Sequence, residues 1–145
     1  DHERGTDWLI PRCVELRKEY SRSRFVVDKR GPAGSLIQDM KDAGLRVVEV
    51  DSQEYGQACA GFFDAVANQT ARYPLPQPEL DDALAAARTV PLGDAWKWSR
   101  KQSTNADISP LVAVTLALWG AAHRKRGGVI NLAEALERDA ENDAQ

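Results

Sequence analysis

Between residues 24 and 50 the chain reads RFVVDKRGPAGSLIQDMKDAGLRVVEV. Its two ends, Arg24–Asp28 and Arg46–Val50, are rich in β-branched residues and are predicted to be short strands. The middle begins as a loop and continues as a predicted helix, with Ser35 as its N-cap and Gly44 just after its end. A strand, a helix and a strand within this length are typical of a βαβ unit, whose parallel strands are joined by a right-handed crossover. We therefore predict an α/β fold.

Further elements are predicted on both sides of the βαβ unit from the spacing of apolar residues. Gly56 and Gly61 lie within one of these helices and would let another element pack closely against it. Trp96 and Trp98 alternate along a predicted strand and therefore share one of its faces. The predicted elements are helix Asp7–Tyr20, helix Gln53–Asn68, helix Glu79–Arg88, strand Ala95–Ser99 and a helix from Ser109, its N-cap, to about His123.

The composition is that of an ordinary compact protein. The 145 residues are 43% hydrophobic and 28% charged, which favours a single domain whose core needs no metal or disulfide. The longest nearly apolar stretch, Leu111–Trp119, is far shorter than the roughly 18 residues of a membrane-spanning helix. The first residues lack the apolar core of a signal peptide, and Cys13 and Cys59 lack metal-ligand spacing. We therefore expect reduced thiols and a cytoplasmic location, without secretion.

The charges are unevenly distributed along the chain. Residues 131–145 contain five acidic residues and one arginine, a net charge of −4, whereas the whole chain has a net charge of −3. Residues 127–145 are therefore predicted to form an acidic tail on a body formed by residues 1–126. Within this body, basic residues cluster in segments 12–30 and 97–101, so its charge permits a polyanionic partner.

Two acidic residues are candidates for metal binding because of their places in the predicted fold. Asp28 ends a buried strand, where α/β sheets place ligand sites, although it could equally be a turn residue bonded to the following loop. Asp107 precedes the last helix, and because Ser109 and Pro110 form a better N-cap and first-turn pair, its carboxylate is predicted not to cap. Together the two carboxylates would suit Mg²⁺ or Mn²⁺.

Two other motifs have competing interpretations. Gly31-Pro-Ala-Gly34 lacks both the Lys-Ser/Thr pair of a P-loop and the third glycine of a dinucleotide-binding fingerprint, so nucleotide binding is not expected. Trp96 and Trp98 flank Lys97, and further basic residues follow. This pattern is typical of a nucleic-acid stacking face with a cationic rim, or of two tryptophans packed against the core.

Three segments occur in the same order in one known family. They are Arg24–Ile37, then Glu54-Tyr-Gly-Gln-Ala58, then Pro91-Leu-Gly-Asp-Ala-Trp-Lys-Trp98 followed by Asp107-Ile-Ser-Pro-Leu-Val-Ala113 and Leu116-Ala-Leu-Trp119. With these segments, the chain from about residue 1 to 120 resembles the nuclease domain of the large terminase subunit of tailed bacteriophages. The likeness is to terminases of actinobacterial phages and prophages in particular.

This resemblance implies a ribonuclease-H-like fold, a mixed sheet flanked by helices. In the family, acidic residues hold two divalent metal ions, Mg²⁺ or Mn²⁺, that cleave concatemeric double-stranded DNA during packaging. Asp28 matches the family acid at the end of the fourth strand, and Asp107 matches the acid that opens the last helix, so both are expected to be catalytic metal ligands. The residues expected to steer the DNA backbone are Lys29, Arg30, Lys97, Arg100 and Lys101.

The chain departs from the family at its N-terminal side. In the family, a three-stranded meander carrying the first metal ligand precedes the helix that corresponds to Asp7–Tyr20, and no such strands are predicted here. The chain therefore looks like the C-terminal part of the nuclease domain, and we expect weak metal binding and weak or absent cleavage. The edge of strand Arg24–Asp28 would be exposed and open to pairing with a second copy of the chain.

The resemblance also implies partners and leaves one alternative open. In the full-length context, a terminase in the bacterial host cytoplasm works with a portal protein and a small terminase subunit, and no membrane is involved. The alternative is a non-catalytic α/β module that docks onto the portal or other packaging proteins. The acidic net charge, the acidic tail and the missing first carboxylate favour that alternative.

Overall fold

The computed structural model describes residues 3–73 and 76–124, and the predicted acidic tail, residues 127–145, lies outside this part. Within the described residues the protein is a mixed α/β fold with five α-helices and two small sheets, so the predicted α/β class is confirmed. The elements are α1 (Leu9–Glu19), β1 (Phe25–Asp28), a 3-10 helix (Pro32–Leu36), α2 (Ile37–Asp42), β2 (Val47–Val50), α3 (Ser52–Ala67), α4 (Pro78–Ala86), β3 (Thr89–Leu92), β4 (Ala95–Trp98) and α5 (Ser109–Ala122).

The predicted βαβ unit is present. Strands β1 and β2 are parallel neighbours, with Phe25 opposite Val47 and Asp28 opposite Val50. The crossover differs from the prediction, because a 3-10 helix precedes α2 and Ser35 lies inside it, donating its hydroxyl to the Pro32 carbonyl at 3.3 Å instead of capping. Gly44 ends the crossover with a φ of +75°, the left-handed conformation expected of it.

The two faces of the β1–β2 sheet pack against different helices. Val27 packs on one face with Ile37, Met40 and Leu45, beside apolar residues of α1. Val26 packs on the other face against the larger cluster formed by α3, α4 and α5. Gly120 allows α5 to lie directly on this face, since a Cβ there would overlap the Cγ2 of Val26. The sheet is therefore the middle of three layers.

One edge of β1 is unpaired within the described residues. The Phe25 N–H donates to the Arg46 carbonyl and the Lys29 N–H to the Val50 carbonyl, so these alternate residues face β2. Because alternate residues of a parallel strand bond to opposite sides, the backbone groups of Val26 and Asp28 point away from β2. The described sheet has only the two strands, which leaves this edge open.

The second sheet is a hairpin that packs on α3. Strand β3, which was not predicted, pairs antiparallel with β4, and Gly93 supplies the positive φ of +58° in the two-residue loop. Gly56 brings α3 close to the hairpin, since a Cβ there would lie 2.9 Å from the Leu92 Cδ2. The close packing predicted at Gly56 is confirmed. Gly61 has no neighbour that a Cβ would meet, so the close packing predicted there is wrong.

None of the helices in the described residues has the length and apolarity of a membrane span.

Candidate functional site

A pocket of about 300 Å³ opens where β1, α3 and the hairpin meet, at the carboxyl end of β1. Asp28 lies at the end of that strand, and Tyr55 comes from the first turns of α3. Four basic side chains also line it, and we refer to them as the pocket cations: Arg30, Lys97, Arg100 and Lys101. With one carboxylate and four cations, the lining carries a net positive charge, which favours an anionic ligand over a cationic one.

The pocket brings together five of the seven residues predicted from the sequence. Asp28 and the pocket cations line it, whereas Lys29 and Asp107 do not. Lys29 is exposed, and its backbone carbonyl packs so closely on Gly34 that a Cβ there would overlap it. The loop after β1 therefore turns Arg30, and not Lys29, toward the pocket.

Asp28 takes part in a turn at the mouth of the pocket. Its Oδ1 accepts the Arg30 backbone N–H at 3.0 Å, the bond of an Asx turn. Gly31 follows so closely that a Cβ there would lie 3.0 Å from the Asp28 Oδ2, so a larger residue would require the carboxylate to shift. The prediction that Asp28 is a turn residue is therefore confirmed, and the same residue also lines the pocket.

The Asp107 carboxylate, which was predicted not to cap the last helix, bonds to the start of that helix. Its Oδ1 accepts the Ser109 backbone N–H at 2.8 Å, while the N-cap residue is Ile108 and no side chain caps from that position. The prediction that Ser109 caps and releases Asp107 is therefore wrong. Ile108, just before α5, belongs to the same buried cluster as Val50, which pairs with Asp28 in the sheet. Helix α5 therefore begins on the face of the sheet that Val50 packs on.

The described residues contain no group of three or more histidine, cysteine, aspartate or glutamate side chains arranged to hold a metal ion. The two predicted ligands are carboxylates, which is the donor type that Mg²⁺ and Mn²⁺ prefer. Mg²⁺ is commonly bound through one or two carboxylates with water and substrate phosphates completing its shell. Asp28 and Asp107 therefore have the donor type that such an ion prefers, and of the two only Asp28 lines the pocket.

Tyr55 is a site residue that sequence reasoning missed. Its side chain is 4% exposed, and its hydroxyl makes no hydrogen bond of ordinary geometry in the described structure. Burial raises the pKa of Tyr55, with further contributions from Cys59 and Asp28 that raise it and from Arg100 that lowers it. In the sequence Tyr55 is one of the apolar residues on one side of α3, and nothing local shows that its hydroxyl faces charged groups.

The paired tryptophans belong to the core side of the hairpin. Their rings meet edge to face at 4.9 Å between centroids, on one face of β4 as predicted. The Trp98 indole N–H donates to the Thr115 hydroxyl at 3.1 Å, and Phe62 packs against the same ring. This arrangement favours the core-packing interpretation over a stacking face for bases.

Comparisons with known proteins add no relative. No protein-family model, curated protein or solved structure matches the chain. The function must therefore be argued from the pocket and its chemistry.

Proposed function

We propose that this chain is part of a metal-dependent DNA endonuclease, of the kind found in the large terminase subunits of tailed bacteriophages. The single observation that carries the proposal is the pocket at the end of β1, where Asp28 meets the pocket cations. Cleavage of a phosphodiester needs cations that hold the backbone and carboxylates that hold a divalent metal. The parallel β1–β2 pair, with helices on both faces, supports a ribonuclease-H-like arrangement around it.

In this proposal the protein residues have separate roles. The pocket cations bind phosphate oxygens without reading bases, so binding weakens as salt concentration rises. Asp28 and Asp107 are the residues that would hold Mg²⁺ or Mn²⁺. When bound, such a metal pair lowers the pKa of the attacking water and stabilises the leaving oxygen. The portal protein and a small terminase subunit, in the bacterial cytoplasm, are the partners proposed for the full-length protein.

One observation favours a second function, a non-catalytic assembly module that docks onto the portal or other packaging proteins. Both proposed metal ligands accept a backbone N–H two residues further along the chain, from Arg30 and from Ser109. Each carboxylate therefore already has a structural role in a turn. In an assembly module these acids would stabilise loops and would need no metal.

DNA binding at the pocket is tested by removing charge at matched positions. We expect Arg100→Ala with Lys101→Ala to weaken binding of a labelled duplex and to lower the dependence of log affinity on log salt by up to about 0.9 for each lost phosphate contact. The control pair, Lys18→Ala with Arg22→Ala, removes the same charge from exposed positions outside the pocket. Equal losses for both pairs, measured by fluorescence anisotropy, would mean that DNA does not bind at the pocket.

Cleavage is tested by Mn²⁺-dependent nicking of supercoiled plasmid. The assay compares this chain with a version extended at its N-terminal side, each alone and with Asp107→Ala. Asp39→Ala, at an exposed position of α2, is the control for loss of an acid. We expect the extended version to nick faster and Asp107→Ala to abolish nicking. If the extended version is inert while Asp107→Ala folds normally, the assembly-module proposal replaces the nuclease.

A further inference from the structure

The Tyr55 hydroxyl is a buried polar group with no strong hydrogen-bond partner, and Tyr55 lines the pocket that the four pocket cations share. Tyr55 is 4% exposed and its hydroxyl oxygen has almost no accessible surface, yet no hydrogen bond of ordinary geometry reaches it. The Cys59 thiol, one turn further along α3, is its weak hydrogen-bonding neighbour. Buried hydroxyl groups nearly always have a partner, so a hydroxyl with only a weak partner at a pocket wall is a candidate for binding a ligand. The charged groups that act on this hydroxyl include Arg100 and Asp28, which line the same pocket.

We infer that the Tyr55 hydroxyl donates a hydrogen bond to a phosphate-type oxyanion that the pocket cations hold. This inference rests on the proposed function, and it assigns to Tyr55 the role of orienting the phosphate in the pocket at the end of β1. Tyr55 is thus a binding residue, whose hydroxyl fixes one oxygen while the cations supply the attraction.

The chemistry of the group selects the ligand. Because burial raises the pKa of Tyr55, its hydroxyl stays protonated and offers an O–H donor at neutral pH. A hydroxyl donor in the same pocket wall as four cations is complementary to an oxyanion. Ser52, in the first turn of α3, also lines the pocket and offers a second hydroxyl there.

Access to the hydroxyl requires side chains at the pocket mouth to move. Arg30 and Arg100 line the pocket and are both exposed, so their long side chains can rotate without disturbing the core. An entering phosphate would draw both guanidinium groups onto its oxygens in the pocket that Tyr55 also lines. The backbone of α3 does not need to shift, because its first turn is held by the Asp51–Glu54 capping box.

The test uses Tyr55→Phe, which removes the hydroxyl and keeps the ring. We expect the affinity for inorganic phosphate, measured by isothermal titration calorimetry at low salt, to fall about tenfold, because the lost bond joins a donor to a charged acceptor. The melting temperature of the free protein should change little, since the hydroxyl has no hydrogen bond of ordinary geometry to lose there. Tyr73→Phe is the control, because its hydroxyl donates to Asp81 on the surface, away from the pocket.

Two arms separate a free phosphate from a DNA phosphodiester. A labelled duplex is titrated alongside inorganic phosphate, with the unmodified chain and with Tyr55→Phe. Loss of both affinities supports the inference and the proposed function together. If phosphate binding falls in Tyr55→Phe while the unmodified chain binds no duplex, the inference holds and the DNA function fails. If both ligands bind Tyr55→Phe as tightly as the unmodified chain, the inference is overturned and the DNA function is untouched.

A measurement on the unmodified protein guards against misfolding of the variant. With tyrosines labelled at 13Cζ, phosphate should shift the resonance of Tyr55 and leave that of Tyr73 in place. An unmoved Tyr55 resonance at saturating phosphate would overturn the inference.

Discussion

Thr115 shows how one buried polar side chain connects the hairpin to the core. It is 0% exposed, it donates its hydroxyl to the Leu111 carbonyl at 2.8 Å, and it accepts the Trp98 indole N–H at 3.1 Å. A threonine in the middle of an apolar helix is thus fully satisfied. Because β4 carries Lys97 beside Trp98, this bond also positions one of the pocket cations.

Thr115→Val tests that connection. Valine has the same shape but leaves the Trp98 indole N–H without an acceptor, so we expect the free energy of unfolding to fall by about 1–3 kcal/mol. Urea denaturation followed by circular dichroism measures the change. Thr89→Val, at an exposed position of β3, should change it by less than about 0.5 kcal/mol.

Two glycines on helices should respond to alanine with opposite signs. Gly120→Ala places a methyl group against the stiff, branched side chain of Val26, and we expect a loss of about 1–3 kcal/mol in the free energy of unfolding. Gly61→Ala meets nothing within 4 Å and removes a flexible residue from α3, so a gain of about 0.5–1 kcal/mol is expected. Chemical denaturation of both variants checks the pair, and equal effects would contradict the packing of α5 on β1.

At the level of elements, α3 has the best-defined start. The Asp51 carboxylate accepts the Glu54 backbone N–H at 2.8 Å, and the Glu54 carboxylate accepts the Asp51 backbone N–H at 2.9 Å. This reciprocal capping box satisfies two groups that the helix itself cannot. It also holds the turn that carries Tyr55 and Ser52 into the pocket wall.

Asp51→Ala removes one half of this capping box and should therefore lower the stability of the protein. We expect it to lower the free energy of unfolding by about 1 kcal/mol, the usual effect of losing an N-cap. Gln53→Ala, an exposed change in the same turn, should be nearly neutral. Thermal melts of the two variants, side by side, distinguish loss of the cap from a general effect of substitution in the first turn.

The elements differ in how well the sequence predicts them, and the reasons are physical. The βαβ unit is predictable because its two strands and Gly44 are local signals that agree with one another, whereas the 3-10 start of the crossover is not predicted. Strand β3 is missed because it is short and contains Pro91, which has no N–H to donate to a ladder. The Asp107 turn is missed because it depends on the backbone of Ile108, which places the Ser109 N–H within reach of the carboxylate.

The site is less predictable than the fold. Asp28 and the pocket cations can be found because charged residues at the end of a strand and after a hairpin are conspicuous in a sequence. Tyr55 cannot be found in this way, because the sequence shows an apolar ring on a helix and gives no sign of where its hydroxyl points. That direction depends on packing between α3, the hairpin and the loop after β1, which are distant in the chain.

For the molecule as a whole, the open edge of β1 is the most consequential surface. The backbone groups of Val26 and Asp28 point away from β2, and the described sheet has no third strand to receive them. Exposed edges of this kind pair readily with a strand of another molecule. A second copy of the chain offers the same edge, and the two could pair about a twofold axis.

We therefore expect the protein to associate with itself through this edge. Size-exclusion chromatography with light scattering, over a range of protein concentrations, should show a mass that rises above that of the monomer. A monodisperse monomer at every concentration would contradict the expectation.

The position of Trp98 in the pocket wall gives the protein an intrinsic optical reporter. An anion entering beside its indole ring changes the field around the ring and therefore the wavelength and intensity of its emission. Trp8 and Trp119 do not line the pocket, and replacing both with phenylalanine would leave the signal to the pair on β4. Ligand binding could then be followed in real time without attaching a dye to either partner.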